Sequence, residues 1–186
     1  MLKALIHNRL DAFEREYGYD TSYVREILAA DIGAFWRVTK LASISAYSRD
    51  LPVEAQFAAK ITGTLAEDCG PCTQLMVTTA EKAGVSAETL RALIRGDDAA
   101  LGPDAHLAVM FTRAVLQRDP EADVWRERVR ERWGRRAVIS LAFALVAARA
   151  YPTLKYALGF GKTCSRVTVA GAPVSVLREP SLAQVS

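Results

Sequence analysis

The chain has few cysteines and histidines and carries no large excess of either sign of charge. Its 186 residues include three cysteines and two histidines, of which Cys164, His7 and His106 stand singly in the sequence. Structural zinc takes four ligands, usually from two close pairs, so this scatter does not favour a metal site. The net charge of +3, with both signs interspersed, does not favour a nucleic-acid surface. We therefore expect no metal, no cofactor and no nucleic-acid partner.

Long hydrophobic runs are also missing. The longest uncharged apolar run, residues 137–148, is too short to span a bilayer and is typical of a buried helix. Met1-Leu2-Lys3 leads into an amphipathic helix, not into a basic segment followed by an apolar one, so we expect no signal peptide. Without an export signal, three cysteines do not make a disulfide framework. These features predict a cytoplasmic protein that does not contact a membrane.

Helical periodicity is the main pattern that the chain does contain. A hydrophobic fraction of 51% and a charged fraction of 24% are typical of a soluble globular protein, and the length suits one domain, residues 1–186. Apolar residues recur at helical spacing from Leu2 to Ala150, with no alternating strand and helix units and no internal repeat. The sequence therefore predicts an all-α fold, a single-domain multi-helix bundle.

Helix boundaries can be read from capping and breaking residues. Four residues mark helix starts or stops: Ser86, Gly96, Pro103 and Gly134. Another helix starts at Thr21 or Ser22, with Gly33 as a candidate for dividing it. The apolar helix from Arg135 is predicted to end before Pro152, with a short helix after it. The tail, residues 163–186, is predicted to be extended or to form a short hairpin around Gly171.

The residues with the most evident chemistry are Cys69 and Cys72, in the stretch Cys69-Gly-Pro-Cys72. Pro71 suits the first position of a helix, which places Cys72 in the first turn and Cys69 just before it. This spacing allows a short-loop disulfide. Unpaired N–H groups and the helix dipole favour a thiolate there, whereas the negative charges of Glu67 and Asp68 disfavour it. One of these carboxylates could instead carry protons.

Three interpretations of the cysteine pair differ in chemistry. The two residues are small buried hydrophobes, ligands of structural zinc, or a redox-active pair. In a reducing cytoplasm a close pair is more often redox-active or metal-binding than structural. Cys164 is either a buried small residue, the interpretation we prefer, or a third redox thiol.

The sequence resembles the alkyl hydroperoxidase D-like, or carboxymuconolactone decarboxylase, family. The resemblance lies in Cys69-Gly-Pro-Cys72 and in two flanking stretches, 80–85 and 104–111, and it covers roughly residues 30–165. It implies an all-helical bundle, homo-oligomers and thiol peroxidase chemistry. In the cysteine-bearing branch, the cysteine matching Cys72 attacks peroxide, and the one matching Cys69 resolves the product.

The chain departs from this family at the residues that move protons. Met76 stands where the family has a histidine, Phe57 lies near the place of its glutamate, and Pro71 replaces a histidine found in some members. The family's proton relay therefore does not carry over. Glu67 is a candidate acid/base replacement if burial raises its pKa, or else a solvated carboxylate at a helix end.

These observations predict a thiol-disulfide oxidoreductase, including hydroperoxide reduction in an antioxidant role. Its catalytic residues would be Cys69, Cys72 and Glu67, and its partners a small-molecule peroxide or a disulfide-bearing protein. The alternative is a non-catalytic helical oligomer or a redox-sensing binding module. Decarboxylation is less favoured, because that branch of the family does not use a cysteine pair.

Overall fold

Helices dominate the structure, a computed structural model that describes residues 2–164 and 166–176. In chain order the elements are α1 (Leu2–Tyr17), α2 (Ser22–Ala30), α3 (Ile32–Ala46), α4 (Val53–Ala66), α5 (Gly70–Lys82), α6 (Ala87–Arg95), a 3₁₀ turn (Asp98–Ala100), α7 (Pro103–Gln117), α8 (Ala122–Trp133), α9 (Arg135–Ala157), β1 (Arg166–Val169) and β2 (Ala172–Ser175). In this part of the chain, β1 and β2 form one antiparallel sheet of two strands. The predicted all-α multi-helix fold is confirmed.

Helix α4 lies at the centre of the fold. It packs against α5, α7 and α9, and most of its length is buried. Small residues make this close packing feasible: a Cβ added to Gly63 would lie 2.7 Å from the Cβ of Ala148 on α9. The main core surrounds α4, and a smaller cluster formed by Ile6, Leu28 and Phe35 joins the first three helices. The cysteine-bearing helix α5 is thus held directly against the most buried helix.

Most helix ends occur where the capping residues predict them. The Ser86 hydroxyl accepts a hydrogen bond from the Thr89 N–H at 3.0 Å. Gly96, after α6, has a φ of 67°, a left-handed conformation that glycine adopts at little cost. Pro103 opens α7 and Gly134 separates α8 from α9. Local signals therefore define these boundaries.

Two predicted boundaries are wrong. The second helix is divided at Asp31, not at Gly33, because the Asp31 carboxylate caps α3 by accepting a hydrogen bond from the Gly33 N–H at 2.6 Å. Helix α9 does not end before Pro152 but continues through it to Ala157. Proline removes one helical hydrogen bond, and the packing of α9 evidently outweighs that loss.

The C-terminal hairpin is confirmed over residues 166–176. It turns at Ala170 and Gly171, both with positive φ, and the residues after 176 lie outside the described part. The side chain of Gln74 on α5 bonds to both the N–H and the carbonyl of Thr168, at 2.7 and 3.0 Å. The hairpin is therefore attached to the cysteine-bearing helix.

Helix α9 is long and apolar enough to cross a membrane, with a mean hydropathy of 1.6 over its most apolar 18 residues. Length and composition alone do not distinguish a membrane span from the core helix of a soluble protein. Here α9 packs against α3, α4 and α8 and buries Leu141, Ala144 and Leu145. The prediction that residues 137–148 form a buried helix holds for this packed face only, because Ile139, Phe143 and Val146 on the other face are exposed.

Candidate functional site

Cys69 and Cys72 are joined by a disulfide bond, and their Cα atoms are 5.3 Å apart. Cys69 is the extended N-cap residue of α5, although its side chain makes no capping hydrogen bond. Helix α5 begins at Gly70, so Pro71 occupies the second helical position and not the first, and Cys72 lies in the first turn as predicted. The structure thus brings together the two cysteines that the sequence singles out.

Both cysteines are almost fully buried, with 0% of Cys69 and 4% of Cys72 exposed. Behind them the buried Thr73 hydroxyl lies 3.0 Å from the Cys69 carbonyl, to which it donates, and 3.2 Å from the Thr64 hydroxyl on α4. Sequence reasoning missed this threonine pair. The available signal was a threonine four residues after Cys69, a spacing at which a hydroxyl reaches back to the carbonyl of the preceding turn.

The two carboxylates before the cysteines have different contacts. Glu67 ends α4, and its Oε1 accepts a hydrogen bond from Arg149 Nε at 2.6 Å in a surface ion pair. Asp68 has a φ of 47°, and its Oδ1 accepts a hydrogen bond from the Cys164 N–H at 2.8 Å. The Asp68 carbonyl accepts another from the Tyr156 hydroxyl at 3.1 Å. Asp68 therefore holds a distant part of the chain in place.

That distant part is residues 161–164, which we call the strap. The Gly70 N–H donates to the Lys162 carbonyl at 3.0 Å. A Cβ on Gly70 would lie only 2.7 Å from the Thr163 carbonyl oxygen and 3.3 Å from the Cys164 Cα, so the strap rests directly on the helix start. Cys164 itself is buried, in agreement with the preferred interpretation of this residue.

The histidines lie away from the cysteine-bearing segment. His106 lines an open cleft of about 460 Å³ between α7 and α8, together with Leu107, Trp125, Arg128, Glu131 and Arg132. His7 Nδ1 lies 3.1 Å from the Arg25 guanidinium. Met76, which occupies the place of the family's histidine, packs against the main core, as its apolar side chain predicts.

Two buried lysines were not identified from the sequence. Burial lowers the pKa of Lys60 on α4 to about 8, and its Nζ lies 5.3 Å from the centre of the Phe57 ring. Burial also lowers the pKa of Lys155, whose Nζ lies over the rings of Tyr19 and Tyr23 at 4.7 and 5.3 Å. Each is a single cation in an otherwise helical apolar pattern, so periodicity alone gives no sign of its burial.

The same burial acts in the opposite direction on the tyrosines around Lys155. It raises the pKa of Tyr19 to about 12, and that of Tyr151 to about 12 as well, because the phenolate form loses hydration.

In the described ranges 2–164 and 166–176, no group of three or more His, Cys, Asp or Glu side chains is placed to hold a metal ion.

Scans of the chain against protein-family models, curated proteins and solved structures found no match. The fold and the site therefore define the class by themselves: an all-α protein whose Cys-x-x-Cys disulfide lies at the start of a helix. The resemblance to the alkyl hydroperoxidase D-like family stays a prediction based on residues of the sequence.

Proposed function

We propose that the protein is a thiol-disulfide oxidoreductase that works through Cys69 and Cys72. The observation that carries the proposal is the disulfide between them at the N-terminus of α5. A helix N-terminus stabilises a thiolate, the form that reacts in exchange and peroxide reduction. The resemblance to the alkyl hydroperoxidase D-like family supports hydroperoxide as the oxidant, and a protein disulfide is the other substrate class.

The proposed peroxidase cycle balances with the disulfide as its oxidised state. The Cys72 thiolate attacks the terminal oxygen of a hydroperoxide, the O–O bond breaks, and the alcohol leaves after gaining a proton. Cys72 is then a sulfenic acid, and Cys69 attacks its sulfur and displaces water. Two thiols and one hydroperoxide thus give a disulfide, an alcohol and water. The choice of Cys72 as attacker follows the family resemblance and agrees with its slightly greater exposure.

Glu67 is our proposed acid/base group for the departing alcohol. It is the carboxylate two residues before Cys69, and Asp68 is already bound to the strap. In the oxidised structure Arg149 binds Glu67, so the carboxylate must leave Arg149 to reach the site in the reduced enzyme.

We further propose a cytoplasmic homo-oligomer, in line with the resemblance and with the supply of reductant that such a cycle needs.

The direct test is mass spectrometry of the reduced protein after mild peroxide treatment. The peptide that contains both cysteines should lose two hydrogens, and the loss should reverse with a dithiol reductant. Separate sulfenic or sulfonic adducts on the two cysteines, without the joint loss, would contradict the proposal. A steady-state assay with hydroperoxide and dithiol then measures turnover.

A second candidate function is favoured by the burial of the pair. Exposures of 0% and 4% suit a redox-sensing or structural disulfide in a non-catalytic helical module. The reduction potential of the pair and the pKa of its thiols separate the two candidates. A reduction potential close to that of the cellular thiol pool, together with a lowered thiol pKa, supports the enzyme. Unreactive thiols support the non-catalytic module.

A further inference from the structure

We propose that the strap, residues 161–164, is a gate that must open before the Cys69–Cys72 disulfide can react. The inference deepens the proposed function, as the regulation of the same cysteine pair. An attacking thiol must reach one of the two sulfurs, so access controls the rate of exchange. Both cysteines are buried, and the strap, which has no helix or strand of its own, rests on Gly70 between them, so that access depends on local opening.

The strap contacts the start of α5 at Gly70, where it packs closely because residue 70 has no side chain. The backbone of Thr163 lies so close to Gly70 that an added Cβ would be 2.7 Å from its carbonyl oxygen. Real Cβ atoms do not approach a backbone oxygen so closely, so any larger residue must displace the strap. The conformation of Gly70 itself, at the first position of α5, is one that alanine adopts readily.

Polar contacts hold the strap at its C-terminal end and in its middle. At its C-terminal end the Cys164 N–H donates to Asp68 Oδ1 at 2.8 Å. In its middle the Lys162 carbonyl accepts from the Gly70 N–H, while the exposed Lys162 Nζ lies 3.7 Å from Asp20 Oδ2. Gly161, at the other end, lies against the ring of Tyr156. The strap forms no helix or strand of its own, and segments without regular structure open at lower free-energy cost than core helices.

The test measures how fast dithiothreitol reduces the disulfide, a reaction that needs no catalysis by the protein. One thiolate of the reagent attacks a cysteine sulfur, the S–S bond breaks, and a mixed disulfide forms. The second thiol of the reagent closes its own ring and leaves two cysteine thiols. Alkylation in acid-quenched samples, followed by mass spectrometry, gives the rate.

Gly70→Ala should be reduced about tenfold faster than the wild-type protein, because the added methyl group destabilises the closed strap. Gly102→Ala is the matched control: residue 102 has a φ of −62°, and its added Cβ would have no neighbour closer than 4.0 Å. Its rate should stay within about twofold of wild type.

A second pair of variants tests the other end of the strap and does not depend on the folding of Gly70→Ala. Asp68→Ala removes the acceptor for the Cys164 N–H and should speed reduction. Asp68→Asn keeps a side-chain oxygen and tolerates the positive φ, so it should react like the wild-type protein. Amide exchange at residue 70, bonded to the strap, should accelerate in Gly70→Ala, while exchange at Thr73, bonded to the Cys69 carbonyl at the start of α5, should not.

The proposal is overturned if neither Gly70→Ala nor Asp68→Ala is reduced more than about twofold faster than the wild-type protein. It is also overturned if Thr73 exchange accelerates together with residue 70, since the faster reduction would then reflect unfolding of α5. Failure of the proposed function looks different. In that case the wild-type protein shows no peroxide turnover, although Gly70→Ala is still reduced faster by dithiothreitol.

Discussion

Glu67 and Asp68 are adjacent carboxylates whose surroundings assign them different tasks. Asp68 binds the strap, whereas Glu67, at the end of α4, pairs with the exposed Arg149 on α9. If Glu67 supplies the proton, Glu67→Gln should slow peroxide turnover by about two orders of magnitude or more. Asp68→Asn should lose far less. Steady-state rates with hydroperoxide and dithiol provide the measurement.

Arg149→Gln is the control for this prediction. It removes the ion pair but leaves the Glu67 carboxylate, so turnover should be retained if the carboxylate, and not the pair, is what matters. Equal and small losses in Glu67→Gln and Asp68→Asn would mean that both carboxylates are merely solvated. Water or another chain would then carry the proton, or peroxide would not be the substrate.

Lys60 gives a prediction about stability. Its side chain is only 7% exposed, and burial lowers its pKa from 10.5 to about 8. A depression of this size corresponds to a cost of up to about 3 kcal/mol for keeping the ammonium in the folded protein at pH 7. Lys60→Met should therefore raise the free energy of unfolding at pH 7, by up to that amount, in urea titrations. Lys40→Met, at an exposed site, should change it by less than about 0.5 kcal/mol.

The pH dependence of this effect has a definite sign. Between pH 8 and 10.5 the unfolded chain binds more protons at Lys60 than the folded protein does, so this residue makes wild-type stability rise with pH. Below pH 8 both states are protonated and the cost is constant. The advantage of Lys60→Met should therefore shrink from pH 8 upward and vanish above 10.5. An advantage that stays constant over this range would refute the assigned pKa.

At the residue scale, sequence reasoning found the cysteine pair because its signal is local: two cysteines and a proline at a helix start. It could not find the strap, because the contact of Gly70 with Thr163 joins residues more than 90 positions apart. The burial of Lys60 was likewise hidden, since it depends on how many helices surround α4. The cysteine pair could therefore be located from the sequence, whereas the strap and the burial of Lys60 could not.

Among the elements, α4 and α9 approach each other closely at Gly63. A Cβ added to Gly63 would lie only 2.7 Å from the Cβ of Ala148. Gly63→Ala should destabilise the protein by about 1–3 kcal/mol through overpacking, partly offset by the better helix propensity of alanine. In an Ala148→Gly background the same change should cost much less. A double-mutant cycle by urea unfolding measures this coupling, and additive changes would refute the contact.

Helix boundaries show which local rules survive packing. Ser86, Gly96 and Gly134 end or begin helices as predicted, because each satisfies or breaks the backbone at its own position. Pro152 does not, since α9 extends one and a half turns beyond it while packed against its neighbours. The boundary between α2 and α3 lies at Asp31, whose side chain caps α3, and not at the nearby Gly33. Capping residues can be recognised in the sequence. Whether tertiary packing overrides a helix-breaking proline cannot.

For the whole molecule, the outer face of α9 carries an apolar stripe. Ile139, Phe143 and Val146 are 40%, 38% and 52% exposed and follow one another at helical spacing of four and three residues. Exposed apolar stripes of this kind mark contact surfaces, and we predict that a second copy of the chain covers this one. Sedimentation at micromolar concentration should give a mass above that of the 20.3 kDa monomer.

Substitution of the stripe tests which surface makes the contact. Val146→Glu should shift the sedimenting species toward the monomer, because a charge would be buried in the interface. Val124→Glu, at a residue of similar exposure on α8, should leave the mass unchanged. A wild-type monomer, or dissociation by both variants alike, would remove the stripe as the interface.

The position of the strap in the chain has a consequence for the newly made protein. Cys72 leaves the ribosome about 90 residues before Cys164, which at bacterial and eukaryotic rates of synthesis takes about 5–20 s. During that interval the segment that will later cover the cysteines has not yet been made. If the strap is the cover, the nascent pair is open to the thiols and oxidants of the cell for this interval, before the folded protein restricts their access.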